Sequence, residues 1–259
     1  MIISYQNINI SYKIYGTGFP IVFLHGFLEN KEMWQPFLPY FNQFQAVTID
    51  LLGHGETGVL SNIHTMEDQA VMIAFVLDKL QINQAFFIGH SMGGYVALAL
   101  LEKNPILFKG VILQNSTTKA DSQERKNIRT RFNHLIDNNF DVTINMSIAN
   151  LFSSNFREKH KNIINQTQKE ALKTTIQGIK AAQEGMKARK DTTEIWKKSN
   201  ILKFLILGTE DEILDYKTTR EIAQDHEIFL LPSGHMSHLE DQEKLIKVYQ
   251  KIFFEILNF

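Results

Sequence analysis

The sequence predicts an α/β protein built on a mostly parallel sheet, and three observations carry that prediction. Short continuous apolar runs recur along the chain, stretches of helical period separate them, and a glycine-rich turn joins one run directly to a helix. With 259 residues, 44% of them hydrophobic and 21% charged, the chain can bury a full core as one large domain carrying an insertion.

The elements follow in order. Ile8, Ile10, Tyr12 and Ile14 alternate along Ile8 to Tyr15, the pattern of an early strand in a hairpin meander. The runs Ile21–Leu24, Ala46–Ile49 and Ala85–Ile88 lack alternation, as strands buried on both faces do. Thr65 stands as N-cap with Asp68 three residues on, ahead of the helical face Ala70, Ile73, Ala74, Leu77 and Leu80. Val111–Leu113, Phe204–Leu207 and Ile228–Leu231 read as further strands, and residues 242–257 as a closing amphipathic helix. Between Ser116 and Asn200 strand-like runs vanish. Phe132, Leu135 and Ile136, then Ile144, Ile148, Leu151 and Phe152, keep helical spacing, so about four short helices are expected there. The reading is a core of residues 1–115 and 201–259 with an all-α insertion of residues 116–200.

Composition removes several function classes. Twenty-seven Lys and Arg against 28 Asp and Glu leave a net charge of -1, without the basic excess of a nucleic-acid binder. Cysteine is absent, which excludes disulfides, thiolate metal sites and a cysteine nucleophile. No apolar run approaches the roughly 18 residues of a membrane span, and the first residues lack a signal-peptide pattern, so a cytoplasmic protein without membrane or nucleic-acid partners is expected. Charge is nevertheless uneven: residues 119–198 hold 16 basic and 9 acidic residues, leaving 11 and 19 elsewhere. Such a basic segment either pairs with the acidic body or steers an anionic substrate.

The strongest chemical signal is Gly89-His90-Ser91-Met92-Gly93-Gly94, between the Ala85–Ile88 run and the helical run from Tyr95. This is G-x-S-x-G in a strand–turn–helix context, where a sharp turn lifts the Ser91 hydroxyl above the sheet and aims the Met92 N–H at a developing oxyanion. A serine needs a base. Asp211 follows the Phe204–Leu207 run and His235 follows Ile228–Leu231, so both fall in loops at strand C-termini, where open α/β sheets build their sites.

In these residues the chain resembles the α/β-hydrolase superfamily, in its lid-bearing branch of small carboxylesterases and meta-cleavage product hydrolases. Leu24-His25-Gly26-Phe27 is similar to that family's H-G turn, and Asp50-Leu51-Leu52-Gly53-His54-Gly55-Glu56-Thr57 to its D-x-x-G-x-G loop. The order Ser…Asp…His is also the family's. The resemblance implies an eight-stranded α/β-hydrolase sheet flanked by helices, with residues 116–200 as a helical lid. It implies Ser91 as nucleophile, His235 as general base and acid, Asp211 as the residue orienting His235, and the N–H groups of Phe27 and Met92 as oxyanion donors. Glu210 and Glu212 flank Asp211, but the register favours Asp211; the Gly234-His235 pair favours His235 over His238, which reads as a supporting or surface residue. Leu28, His90, Tyr95, Phe132, Met146, Phe152 and Met236 are pocket candidates. No metal-ligand spacing occurs, and no cofactor is implied.

Serine at position 91 argues against branches with an aspartate nucleophile. Esterases, thioesterases, lactonases, carbon–carbon bond hydrolases, haloperoxidase-like members and a menaquinone-pathway lyase remain. The lyase branch carries arginine just after the elbow glycines, where Tyr95 stands here, so a carboxylate-bearing substrate would need Arg125, Arg129 or Arg131 from the lid. The expectation is a hydrolase of a small ester-like or related acyl substrate, with the lyase or carbon–carbon hydrolase as alternative and a non-enzymatic receptor of the same fold as the reading from another class.

Overall fold

The structure, a computed structural model, describes residues 1–223 and 228–256. Eight strands form one sheet: β1 (Ile2–Tyr5), β2 (Ile8–Tyr15), β3 (Pro20–Leu24), β4 (Gln45–Ile49), β5 (Ala85–His90), β6 (Phe108–Gln114), β7 (Leu202–Gly208) and β8 (Ile228–Leu231). Their spatial order is β1-β2-β4-β3-β5-β6-β7-β8, antiparallel where β2 meets β1 and β4 and parallel from β4 through β8. Helices α1 (Met66–Lys79) and α2 (Met92–Lys103) follow β4 and β5. The expected start of α1 is present as a capping box: Thr65 Oγ1 accepts from the Asp68 N–H at 3.0 Å, and Asp68 accepts from the Thr65 N–H at 3.2 Å.

The central strands read as continuous apolar runs because each face of the sheet has its own core. Val22, Leu24, Ala85, Phe87, Val111 and Leu113 join the cluster around α1 and α2, while Ile21, Phe23, Phe86, Ile88 and Ile112 join the opposite one. Successive side chains of a strand point to opposite faces, so a strand covered on both sides must be apolar at every position. The second cluster is aromatic: Phe23 lies against Trp34 and Phe41, and Phe86 against Phe253, with ring centroids 5.0–5.3 Å apart.

Six helices stand between β6 and β7: α3 (Gln123–Leu135), α4 (Phe140–Ala149), α5 (Ser154–Lys159), α6 (Lys161–Ala171), α7 (Ile176–Ala188) and α8 (Thr193–Lys198). The sequence led us to expect about four, because α5 and α8 span only six residues each and carry too little of a helical period to register. A third apolar cluster, including Ile136, Ile144, Ile148, Phe152, Ile164 and Ile179, joins these helices to Leu28 and Met236 of the body. Close backbone approach docks α7, whose Gly178 and Gly185 lie against Gly53 and His64 where a Cβ would overlap backbone. The His64 N–H donates to Ala181 O at 2.9 Å.

Few ion pairs cross this junction. Among the described residues, Lys190 meets Glu102 at 2.6 Å and Glu67 at 3.9 Å and Arg157 meets Glu212 at 3.7 Å, whereas Lys173, Lys180, Lys187, Lys197 and Lys198 pair within the insertion. Packing, more than attraction between oppositely charged pieces, therefore holds the insertion down. After β7 come α9 (Tyr216–Arg220), α10 (Ser237–Glu240) and α11 (Gln242–Gln250). The chain continues as a π-helical turn to Ile256; Leu257, the expected last helical residue, lies outside the described residues. Among the described residues no helix is long and apolar enough to cross a membrane.

Candidate active site

Ser91 occupies the single-residue turn between β5 and α2 with φ 49° and ψ −114°, a region that costs a non-glycine residue about 1–3 kcal/mol. The end of β6 and the residues just after it hold it there. The Ser91 N–H donates to Gln114 O at 3.0 Å, and Ser116 Oγ donates to Ser91 O at 2.8 Å. Gly93 and Gly94 are required by space: a Cβ on Gly93 would fall on the Leu24 and His25 carbonyls, and one on Gly94 would meet Ser116.

His235 and Asp211 arrive from the loops after β8 and β7. His235 Nε2 lies 2.8 Å from Ser91 Oγ, and His235 Nδ1 lies 2.7 Å from Asp211 Oδ2. Hydrogen-bond geometry assigns the tautomer with Nδ1–H donating to Asp211, which leaves Nε2 as acceptor for the serine hydroxyl. Asp211 Oδ1 accepts from the N–H groups of Ile213 and Leu214 at 2.8 and 2.9 Å, and Asn115 Nδ2 donates to Oδ2 at 3.0 Å. Burial alone would raise the Asp211 carboxyl; His235, Asn115 and the backbone donor outweigh it and hold it below the usual aspartate range. The His235 N–H donates to Leu151 O of the insertion at 2.9 Å, while Glu240 ties Gly234 N–H to Ser153. The loop carrying His235 is thus anchored to the inserted helices.

The two expected oxyanion donors sit on separate turns. Met92 opens α2, so its N–H has no acceptor within the helix, and the Phe27 N–H has no hydrogen-bond acceptor among the described residues. The turn bearing Phe27 is braced by His25, whose Nε2 accepts from the Leu51 N–H at 2.9 Å. Asp50 accepts from the Lys31 N–H and ammonium at 2.7 and 2.8 Å and from the Glu56 N–H at 3.0 Å. Sequence reasoning missed both Lys31 and Asn115, since neither belongs to a motif and their partners lie 19 and 96 residues away.

A small cavity of about 60 Å³ opens at Ser91 and His235, lined also by Phe27, Glu29, His90, Tyr95, Arg125, Arg129, Leu151, Met186, Ile213 and Met236. Of the pocket candidates, His90, Tyr95 and Met236 line it. Leu28, Phe132, Met146 and Phe152 do not. Leu28 and Phe152 belong to the third apolar cluster, and Phe132 packs against Phe27 with ring centroids 6.0 Å apart. Met146 is 62% exposed, because α4 turns that face outward. His238, read as a supporting or surface residue, is buried beside the site: its Nε2 lies 3.0 Å from Glu29 Oε1. Glu29 also accepts from the Gly26 N–H at 2.9 Å and faces His90 Nε2 at 3.4 Å. Burial would raise the Glu29 carboxyl, yet the imidazoles around it pull it to about 2; burial pushes His90 itself down to about 3. No metal spacing was legible in the sequence, but these three side chains each offer a donor within 4.8 Å of the others. Their mutual hydrogen bonds account for the grouping.

A mostly parallel sheet with a strained serine in the turn between β5 and the following helix is the frame of an α/β-hydrolase. The chain belongs to the alpha/beta hydrolase fold family, whose model matches residues 20–242. Among curated relatives, 3-oxoadipate enol-lactonase 1 of Acinetobacter baylyi is 28% identical over 256 residues, covering 96% of this chain and 94% of that protein. Among solved structures, a malate-bound thermophilic esterase from Thermogutta terrifontis superposes with a TM-score of 0.89 at 25% identity, covering 96% and 94% of the two chains. The enol-lactonase of Burkholderia xenovorans LB400 has a TM-score of 0.88 at 20% identity over 96% and 98%, a likeness of fold. Membership supports hydrolytic chemistry on small molecules.

Proposed function

We propose that the protein hydrolyses a carboxylic ester or related acyl compound through an acyl-enzyme on Ser91. The single observation that carries this reading is His235 lying within hydrogen-bond distance of Ser91 Oγ through one ring nitrogen and of Asp211 through the other. In this reading Ser91 Oγ attacks the carbonyl carbon as its proton passes to His235 Nε2. Asp211 stabilises the imidazolium so formed. The N–H groups of Phe27 and Met92 take the negative charge of the tetrahedral intermediate, a contribution of about 3 kcal/mol for one such donor. His235 then protonates the departing alkoxide, and water repeats the sequence to release the acid and restore Ser91.

The inserted helices act as a lid that supplies part of the pocket wall, through Arg125, Arg129, Leu151 and Met186. The likeness to esterase and enol-lactonase relatives supports an oxygen ester or lactone over other acyl bonds. The test is a fluorophosphonate probe followed by intact-mass measurement. One adduct on the wild type and none on Ser91→Ala supports the reading. An unmodified, folded wild type overturns it and favours a receptor that uses the same pocket for binding alone.

A further inference from the structure

The cavity at Ser91 carries more positive charge from the inserted helices than its own carboxylates neutralise. Arg125, near the start of α3, lines the cavity and is half-buried, and its guanidinium has no ion pair or hydrogen bond with any described side chain. One turn further on, Arg129 also lines it and is buried; its Nε donates to Asp121 at 2.5 Å and its Nη1 to Gln183 at 2.8 Å, which leaves Nη2 uncommitted. Asp121 is shared, because Arg189 Nη1 reaches its other oxygen at 2.7 Å. Two buried guanidiniums therefore divide one carboxylate. The Arg189 guanidinium also stacks on Tyr95, 4.0 Å from the ring centre, and Tyr95 itself faces the cavity. Glu29 does not cancel the excess, since its oxygens are taken by the Gly26 N–H and by the rings of His238 and His90.

A half-buried guanidinium with no counterion beside the cavity is free to receive an anion, and a planar fork of N–H donors matches a carboxylate. We infer that Arg125 and Arg129 form an anion subsite, so that the acyl compound cleaved at Ser91 bears a free carboxylate held away from the scissile carbonyl. This deepens the hydrolase reading and rests on it. Tyr95 and Arg189 form the wall behind the subsite, so positive charge reaches this side of the pocket from the insertion, while the residue after the elbow glycines is uncharged. The basic excess of residues 119–198 thereby has a function beyond solubility, drawing an anionic substrate toward the same opening.

The experiment compares mono-4-nitrophenyl adipate, an acid, with its neutral methyl ester, and pairs the kinetics with calorimetric titration of adipate into Ser91→Ala protein. The expected result is a kcat/KM at least tenfold higher for the acid, a preference cut about tenfold in Arg125→Gln and weakened by added salt. Arg131→Gln removes the same charge from the exposed side of α3 and keeps the wild-type preference. Adipate binds the Ser91→Ala protein near one per chain, and at least tenfold more weakly once Arg125→Gln is added. A neutral ester cleaved as fast as the acid, or a preference indifferent to Arg125→Gln, overturns the subsite. Should neither ester be cleaved and Ser91 resist the fluorophosphonate, the hydrolase reading fails; adipate binding then still decides whether the arginines form an anion site.

Discussion

At the scale of single residues, the reach of the sequence depended on whether a partner lay in the same motif. Ser91, Asp211 and His235 were legible because each stands just beyond an apolar run, and the resemblance to the α/β-hydrolases, with its Ser…Asp…His order, implied their roles. Asn115 was not, although it donates to Asp211 and accepts from Ser237 Oγ at 2.6 Å, because a lone asparagine after a strand carries no pattern. Glu29 and His238 were likewise beyond reach as a pair, being 209 positions apart in the chain and joined only by the fold. If Asp211 orients His235, Asp211→Asn lowers kcat by about 10⁴-fold, the cost of holding the wrong imidazole tautomer. Glu210→Gln, at the flanking carboxylate, changes kcat less than twofold in the same ester assay. Equal losses in the two variants would return Glu210 to consideration as the orienting residue.

At the scale of elements, strands and α1 were legible, and the short helices of the insertion and its mode of attachment were not. The buried strands carry continuous apolar runs on both faces and α1 has a full capping box, so local sequence overdetermines both. The inserted helices rely on tertiary packing: α5 is capped by Ser153, whose Oγ accepts from the Phe156 N–H, yet its six residues have no resolvable period. Their attachment is equally hidden, resting on the Gly185 and Gly178 approaches and on Glu240 binding Ser153 and Gly234. Gly185→Val inserts carbon where His64 O now sits and must push α7 off the body. We expect about 1–3 kcal/mol of destabilisation, read as a lowered melting temperature together with faster proteolysis within residues 116–200. Wild-type behaviour in both measurements would mean that the insertion is not docked through α7.

At the scale of the whole molecule, a set of buried histidines ties stability to pH. Burial pushes His25 and His64 down, and takes His54 and His90 to about 3, against an ordinary value near 6.5. The unfolded chain therefore binds protons between about pH 6.5 and 3 that the folded chain refuses, so stability rises with pH across that window. It is fully present above pH 6.5 and is lost progressively on acidification; below about pH 4.5 the Glu29 carboxyl, which takes a proton in the unfolded chain while staying ionised in the fold down to about 2, adds to the loss. The melting temperature should be level from pH 7 to 8 and fall steadily from pH 6.5 to 4. A curve flat down to pH 4.5 would show these rings taking protons within the fold.

The sequence by itself determined the sheet class, the serine turn, and the placing of Asp211 and His235 after their strands. Each of these is written in contiguous residues through period, glycine spacing or chain order. Only the tertiary structure decided which side chains face the cavity. It turned Met146 to solvent, sank Leu28 and Phe152 into the third cluster, and set Glu29 between two imidazoles. It also left Arg125 without a counterion among the described residues and gave Arg129 and Arg189 one aspartate to share. The physical reason is that motifs encode backbone geometry, which is local, whereas pocket shape and charge balance are sums over residues far apart in the chain, defined once helices and strands have packed.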